Sequence, residues 1–222
     1  MGKLSGMFEF NPPALRSLFV TGTDTGIGKT HVACALLKHW RGFGFTPAPM
    51  KPVASGATLS AGHWQQEDVD ALIAASGRDW PQHLVNPYCF APPIAPHIAA
   101  DLAGEQIRLE PILHAYALLS AMSDAVIVEG AGGVLVPLGD ALMTTDLIVA
   151  LKLPALLVVG LKLGCLNHAF LSQLALQRAG IPIIGWVGNA IDPEFAERDR
   201  NLSTLLQRLE SPCWGVLEHV YP

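Results

Sequence analysis

At 222 residues, half of them apolar and only 15% charged, the chain has material for one packed α/β domain and too little charge for a disordered one. The formal net charge of -5 argues against nucleic acid as a partner, because phosphate-backbone binding draws on a basic excess. Cys34, Cys89, Cys165 and Cys213 stand too far apart for a Cys-x-x-Cys pair, so no zinc or dithiol centre is expected, and free thiols fit a reducing cytoplasm.

Residues 1–16 lack the apolar core of a secretory signal, and Gly6 occupies the place where a myristoylation motif needs Ser or Thr. They read as a leader, and 17–222 as a single domain. Leu18 to Thr21 has the pattern of a short buried strand, and Lys29 to Trp40 follows with helical spacing, Val32, Ala35, Leu36 and His39 sharing a face. Phe45 to Val53 reads as a second strand, made irregular by Pro47, Pro49 and Pro52. Residues 56–65 read as a Gly- and Ser-bearing loop, Glu67 to Ser76 as a helix ended by Gly77, and 86–96 as an extended Pro-rich loop. Helices are expected at Pro96 to Leu102 and Glu110 to Met122, then a buried strand at Ala125 to Glu129. Thr144 to Leu151 (helix), Pro154 to Leu161 (strand), Asn167 to Ala179 (helix), Ile183 to Asn189 (strand) and Pro193 to Leu209 (helix) complete the alternation. Such alternation predicts a parallel sheet flanked by helices. The longest apolar run, Leu153 to Leu161, is far short of the roughly 20 residues a membrane helix needs.

The strongest motif is Gly22-Thr-Asp-Thr-Gly-Ile-Gly-Lys29-Thr30, placed between a strand and a helix. Glycines let successive backbone N–H groups turn toward phosphate oxygens, and the helix N-terminus adds its positive dipole end. Lys29 brings a point charge to the outer phosphates and the Thr30 hydroxyl can ligate Mg²⁺. Five residues separate Gly22 from Gly28, one more than the common pattern, and an ordinary Gly-rich turn with a chance Lys-Thr is the plainer alternative. Lys51 falls at the C-terminal end of the second strand, the edge where open parallel sheets bind ligands. It is either a second cation facing the polyphosphate or a solvated strand-end lysine. Glu129, at the end of a buried strand and followed by Gly130, Ala131 and Gly132, needs a partner, and Mg²⁺ or a basic side chain would serve. Asp68 and Asp70 open the Glu67 helix two residues apart, so only one of them can face a given site. No His-x-x-x-His pair and no Gly-x-Ser-x-Gly element is present.

Together, the phosphate loop, Lys51-Pro-Val-Ala-Ser-Gly56, Asn86-Pro-Tyr, Pro96-His97, Val128-Glu-Gly-Ala-Gly-Gly133, Leu163-Gly-Cys-Leu-Asn-His168 and Gly185-Trp-Val-Gly-Asn189 resemble, in that order, the dethiobiotin synthetase family, whose fold is that of the P-loop NTPases. The resemblance implies an ATP- and Mg²⁺-dependent cyclo-ligase of biotin biosynthesis, joining CO₂ to 7,8-diaminononanoate. One amine is carbamated, the carbamate attacks the γ-phosphate, and the second amine displaces phosphate and closes the cyclic urea. It further implies that Lys29 and Lys51 stabilise charge on the γ-phosphate and carbamate, and that Thr25 and Ser55 bond the carbamate or substrate. Gly26, Ile27, Gly28, Lys29, Thr30 and His31, with Gly130, Ala131 and Gly132, would cradle phosphates, and Asn189 would contact the base. Thr30, Asp68 and Glu129 would hold Mg²⁺, Asp68 being preferred over Asp70 by ungapped spacing from Lys51 to Asn86. Relatives of this kind are homodimers, in which Gly164, Cys165, Leu166 and Asn167 of the neighbour would hold the substrate carboxylate.

Two departures stand out. Gly26 occupies a place where some relatives carry an acid, and Gly215-Val-Leu-Glu-His matches the family's late Gly-x-Ile-Pro segment poorly, with Glu218 at the proline position and the chain ending at Pro222. The competing function is a positioning or partitioning ATPase acting through DNA or membrane. Those proteins place a second lysine early in the loop, where this chain has Asp24. A corrin-pathway amidating ligase would need an additional glutamine-hydrolysing domain, for which 222 residues leave no room.

Overall fold

The structure, a computed structural model, describes residues 17–60 and 62–218. Its elements in chain order are β1 (Ser17–Gly22), α1 (Lys29–Gly42), β2 (Pro47–Met50), β3 (Val53–Ser55), β4 (Thr58–Ser60), β5 (His63–Gln65), α2 (Glu67–Ser76), α3 (Gln82–Val85) and β6 (Tyr88–Phe90). There follow α4 (Pro96–Leu102), α5 (Leu109–Ala121), β7 (Ala125–Glu129), α6 (Thr144–Leu151), β8 (Ala155–Gly160), α7 (Cys165–Arg178), β9 (Ile183–Asn189), α8 (Arg198–Arg208) and β10 (Cys213–Leu217). A six-stranded sheet in the order β10-β9-β8-β1-β7-β2 is parallel throughout.

Alternation along β1 explains why the sheet is covered on both sides. Leu18 and Val20 point to one face, where α1 and α2 supply Val32, Leu36, Trp40 and Leu72. Phe19 points to the other, among residues of α4, α5, α6 and α7 such as Ala99, Ile112, Leu119, Ile148 and Ala169. Both faces being apolar, the strands read as continuous hydrophobic runs, as parallel sheets do. Among the described residues no helix is long and apolar enough to cross a membrane.

Several sequence expectations need correction. The strand expected over Phe45 to Val53 is two strands, because the chain turns out of the main sheet at Lys51-Pro52 and β3 pairs instead with β6. The prolines of β2 are tolerated because among the described residues it is an edge strand, paired with β7 alone. The expected loop over 56–65 contains the antiparallel pair β4–β5, and the expected extended loop over 86–96 contains β6. The last helix begins at Arg198, five residues later than expected, and α3 and β10 were not anticipated. The leader expected over 1–16 lies outside the described residues, as do residues 219–222.

Candidate active site

The C-terminal ends of β1, β2 and β7 lie side by side, and their register decides what meets there. Val20 pairs with Glu129 and Met50 with Val128, so the loop after β1, Lys51 after β2 and Glu129 at the end of β7 emerge at one edge. That loop begins α1, whose first turn closes with the Val32 N–H donating to the Gly28 carbonyl (3.1 Å). Gly28 is left-handed (φ 83°), and a Cβ there would collide with the Asn189 amide, so both backbone conformation and space demand glycine. Asn189 donates to the Ile27 carbonyl (2.8 Å), which pins the loop to the end of β9.

A cavity of about 970 Å³ opens at this edge. Thr25, Gly26, Gly28, Lys29, Thr30 and His31 line it from the loop, Lys51 and Ser55 from β2 and β3, Asp68 from α2, and Glu129, Ala131 and Gly132 from β7 and the turn after it. At its floor four side chains form one knot. The Lys51 ammonium donates to Glu129 Oε1 (2.5 Å) and Asp68 Oδ2 (2.6 Å). The Thr30 hydroxyl is 2.8 Å from Asp68 Oδ1 and 2.9 Å from Glu129 Oε1. Lys51 is 4% exposed and Glu129 1%, so this lysine is no solvated strand-end residue.

The electrostatics follow from that burial. Desolvation pushes the Glu129 carboxyl up by more than the Lys51 ammonium draws it down. Burial also works against charge on Lys51, but Glu129 and Asp68 hold its pKa above the ordinary value. Asp68 ends below the carboxylate range: burial raises it, and the Lys51 charge with the bonds from Lys51 and Thr30 more than reverses that. Among the described residues no carboxylate is paired with Lys29; its ammonium donates to the Asp24 carbonyl (2.8 Å), and burial takes its pKa down to about 8.

The donor set at the floor consists of oxygens alone: one hydroxyl and two carboxylates. Glu129 Oε2 is buried with no hydrogen-bond partner among the described residues. Hard oxygen ligands with an orphaned carboxylate oxygen suit Mg²⁺, which takes one or two carboxylates and completes its shell with water and phosphate. Among the described residues there is no group of three or more His, Cys, Asp and Glu side chains that could hold a metal, which disfavours a zinc-type cage.

Not every expected residue reaches the cavity. Asp70 is exposed on α2, so of the two candidate acids only Asp68 faces the knot. Ile27 is buried in the core, and Gly130 packs on Phe19, where a Cβ would clash. Asn189, expected at the base, spends its amide nitrogen on the loop. Gly164, Cys165, Leu166 and Asn167 form the first turn of α7 away from the cavity, with Gly164 and Asn167 exposed and Cys165 buried. Gly26 (φ 71°) has open space where a Cβ would point.

Two supporting residues were not assigned roles from the sequence. Asn86 donates from Nδ2 to the Lys51 carbonyl (2.6 Å) and the Tyr88 carbonyl (2.9 Å), while the Lys51 N–H donates to the Val85 carbonyl (2.7 Å). Gln66 caps α2 by accepting from the Val69 N–H (2.9 Å), which fixes the turn that carries Asp68. The sequence signal for Asn86 was its place in the Asn86-Pro-Tyr motif, which carried no role with it.

Comparison with known proteins narrows what this geometry belongs to. The AAA-domain family matches residues 16–220. The ATP-dependent dethiobiotin synthetase BioD of Xylella fastidiosa strain 9a5c is 49% identical over 94% of this chain and 92% of its own length. That of Nitrosospira multiformis is 51% identical over 92% of this chain and 88% of its own length. The chain belongs to the dethiobiotin synthetase family. Among solved structures, a ParA family ATPase from Chlorobium tepidum superposes with a TM-score of 0.51 at 15% identity, covering 92% of this chain and 85% of that one. The signal recognition particle receptor FtsY of Elizabethkingia anophelis, in complex with GDP, gives 0.52 at 15% identity, covering 92% of this chain and 58% of that one. At 15% identity these likenesses show a shared fold alone, that of phosphate-loop proteins, and carry nothing about substrate.

Proposed function

We propose that this chain is an ATP-dependent cyclo-ligase that joins CO₂ to 7,8-diaminononanoate and closes the cyclic urea of dethiobiotin, releasing ADP and phosphate. The observation that carries the reading is the knot of Thr30, Lys51, Asp68 and Glu129 at the floor of a phosphate-loop cavity, in a chain about half identical to dethiobiotin synthetases.

In this reading the loop N–H groups of Gly26 to His31 cradle the triphosphate, and Lys29 leaves the Asp24 carbonyl to bear on its outer phosphates. Thr30, Asp68 and Glu129 would hold Mg²⁺, which when bound neutralises charge on the phosphate oxygens. Lys51, fixed at its backbone by Val85 and Asn86, presents its ammonium to the oxyanion of the carbamate as it attacks phosphorus. Thr25 and Ser55, which both line the cavity, orient the carbamated amine. The second amine then attacks the carbamate carbon, and the phosphate departs with the carbon–oxygen bond's electron pair. Gly164 to Asn167, outside the lining of their own cavity and exposed at Gly164 and Asn167, serve the neighbour's site in a homodimer that works in the cytoplasm without nucleic acid or membrane.

A positioning ATPase shares the fold, but the second loop lysine of such proteins is replaced by Asp24. The deciding experiment is phosphate release from ATP by the purified chain with diaminononanoate and bicarbonate, the product identified by mass. Diamine-dependent release with dethiobiotin formed is expected. ATPase activity stimulated by DNA or anionic vesicles and indifferent to the diamine would overturn the proposal.

A further inference from the structure

Asp24 is the sole acidic residue between Gly22 and Thr30. A carboxylate in a loop that receives a triphosphate is an electrostatic liability, yet its oxygens shape that loop. Oδ1 accepts from the Thr25 N–H (2.8 Å), and the main-chain carbonyl accepts from the Lys29 ammonium (2.8 Å). Oδ2 is met by the Lys162 ammonium at 2.8 Å. Lys162 follows β8, and its carbonyl accepts from the Cys165 N–H (3.0 Å), the turn that opens α7. It is therefore held by a segment that contributes nothing to the lining of the cavity.

We infer that Lys162 is a positioning residue that neutralises and anchors Asp24, so that the phosphate loop keeps its shape without opposing the charge of the nucleotide. The inference rests on the reading above that this loop holds the triphosphate. The Lys162 bond is the foremost of the influences that keep Asp24 below the ordinary carboxylate range, so the acid is charged at neutral pH and needs a counter-charge. The two side chains are 35% and 42% exposed, so the effect of the pair is partly screened and must weaken as salt is raised.

A role through Asp24 and a direct contact of Lys162 with nucleotide make opposite predictions for the double variant. Calorimetry of ATP binding to the full chain, at low and high salt, separates them. Lys162→Ala is expected to weaken binding about tenfold at low salt and about two- to threefold at 0.5 M salt, the scale of one uncompensated charge near a surface. Asp24→Asn combined with Lys162→Ala should return affinity to within about twofold of wild type, because the charge that needed compensation is gone. Lys162→Arg should stay within about twofold of wild type, and melting temperatures serve to show that each variant is folded. A Lys162→Ala protein that binds ATP as wild type does, or a double variant as weak as Lys162→Ala alone, overturns the inference. Failure of the wild-type chain to bind ATP would instead sink the functional proposal on which it rests.

Discussion

Binding of ATP should draw a proton onto the protein at alkaline pH. Lys29 is 6% exposed, and burial lowers its pKa from 10.5 to about 8, partly opposed by Glu129 and reinforced by the Lys51 charge. About a tenth of Lys29 is then neutral at pH 7, about half at pH 8 and about nine-tenths at pH 9. A triphosphate against the amine restores the ammonium across this range, so those fractions are the protons taken up per nucleotide bound. The sign fixes the affinity as well. As pH rises through 8 the free protein must first be protonated to bind, so affinity falls, approaching about tenfold per pH unit. Calorimetry in two buffers of different ionisation enthalpy at pH 8.5 counts the protons. Omitting divalent cation keeps Asp68 and Glu129 out of the count. Lys29→Met should abolish the uptake. Zero exchange, proton release, or the same uptake by Lys29→Met would refute the argument.

Lys51→Met should leave Glu129 charged or protonated without a cation in a 1% exposed site, costing roughly 3–5 kcal/mol, with Asp68 (38% exposed) left out of that figure. Thermal melting should show a drop on the order of 10 °C, partly recovered by millimolar Mg²⁺, and turnover should fall at least about a hundredfold. A Mg²⁺ response of Lys51→Met no larger than that of wild type would count against the carboxylates as the metal seat. Asp68→Asn should raise the Mg²⁺ concentration for half-maximal rate about tenfold or more, while Asp70→Asn, on an exposed side chain, should leave it unchanged.

The main sheet and its helices were legible because both depend on local pattern. The Glu67 to Ser76 helix, with a left-handed Gly77 at its end, and the Ala125 to Glu129 strand match the structure residue for residue. Legibility failed where long-range pairing decides the outcome. Val53 to Ser55 is a strand because Tyr88 to Phe90 lies beside it, and nothing in either three-residue segment announces the other. Cys213 to Leu217 likewise depends on β9 as its template. The site divides in the same way. The phosphate loop and Glu129 could be read from strand-to-loop context, whereas Lys51 stood as an even choice between solvent and site until Asp68 and Glu129 were found on either side of it. Asn86 stood out as part of a motif, and only the fold shows that its amide clasps the Lys51 carbonyl.

The departure of the chain from the main sheet at Lys51-Pro52 has a consequence for how this protein can vary. Lys51 is clamped fore and aft by residues 85 and 86, not by the neighbouring hairpin of β4 and β5, whose strand residues Thr58 to Ser60 are all exposed. Length changes at the tip of that hairpin should leave the ammonium in place as long as the Trp64 carbonyl of β5 keeps its bond from the Gln82 side chain of α3 (2.7 Å). A single-residue deletion between α3 and β6 would unseat it, although that stretch forms no part of the cavity lining.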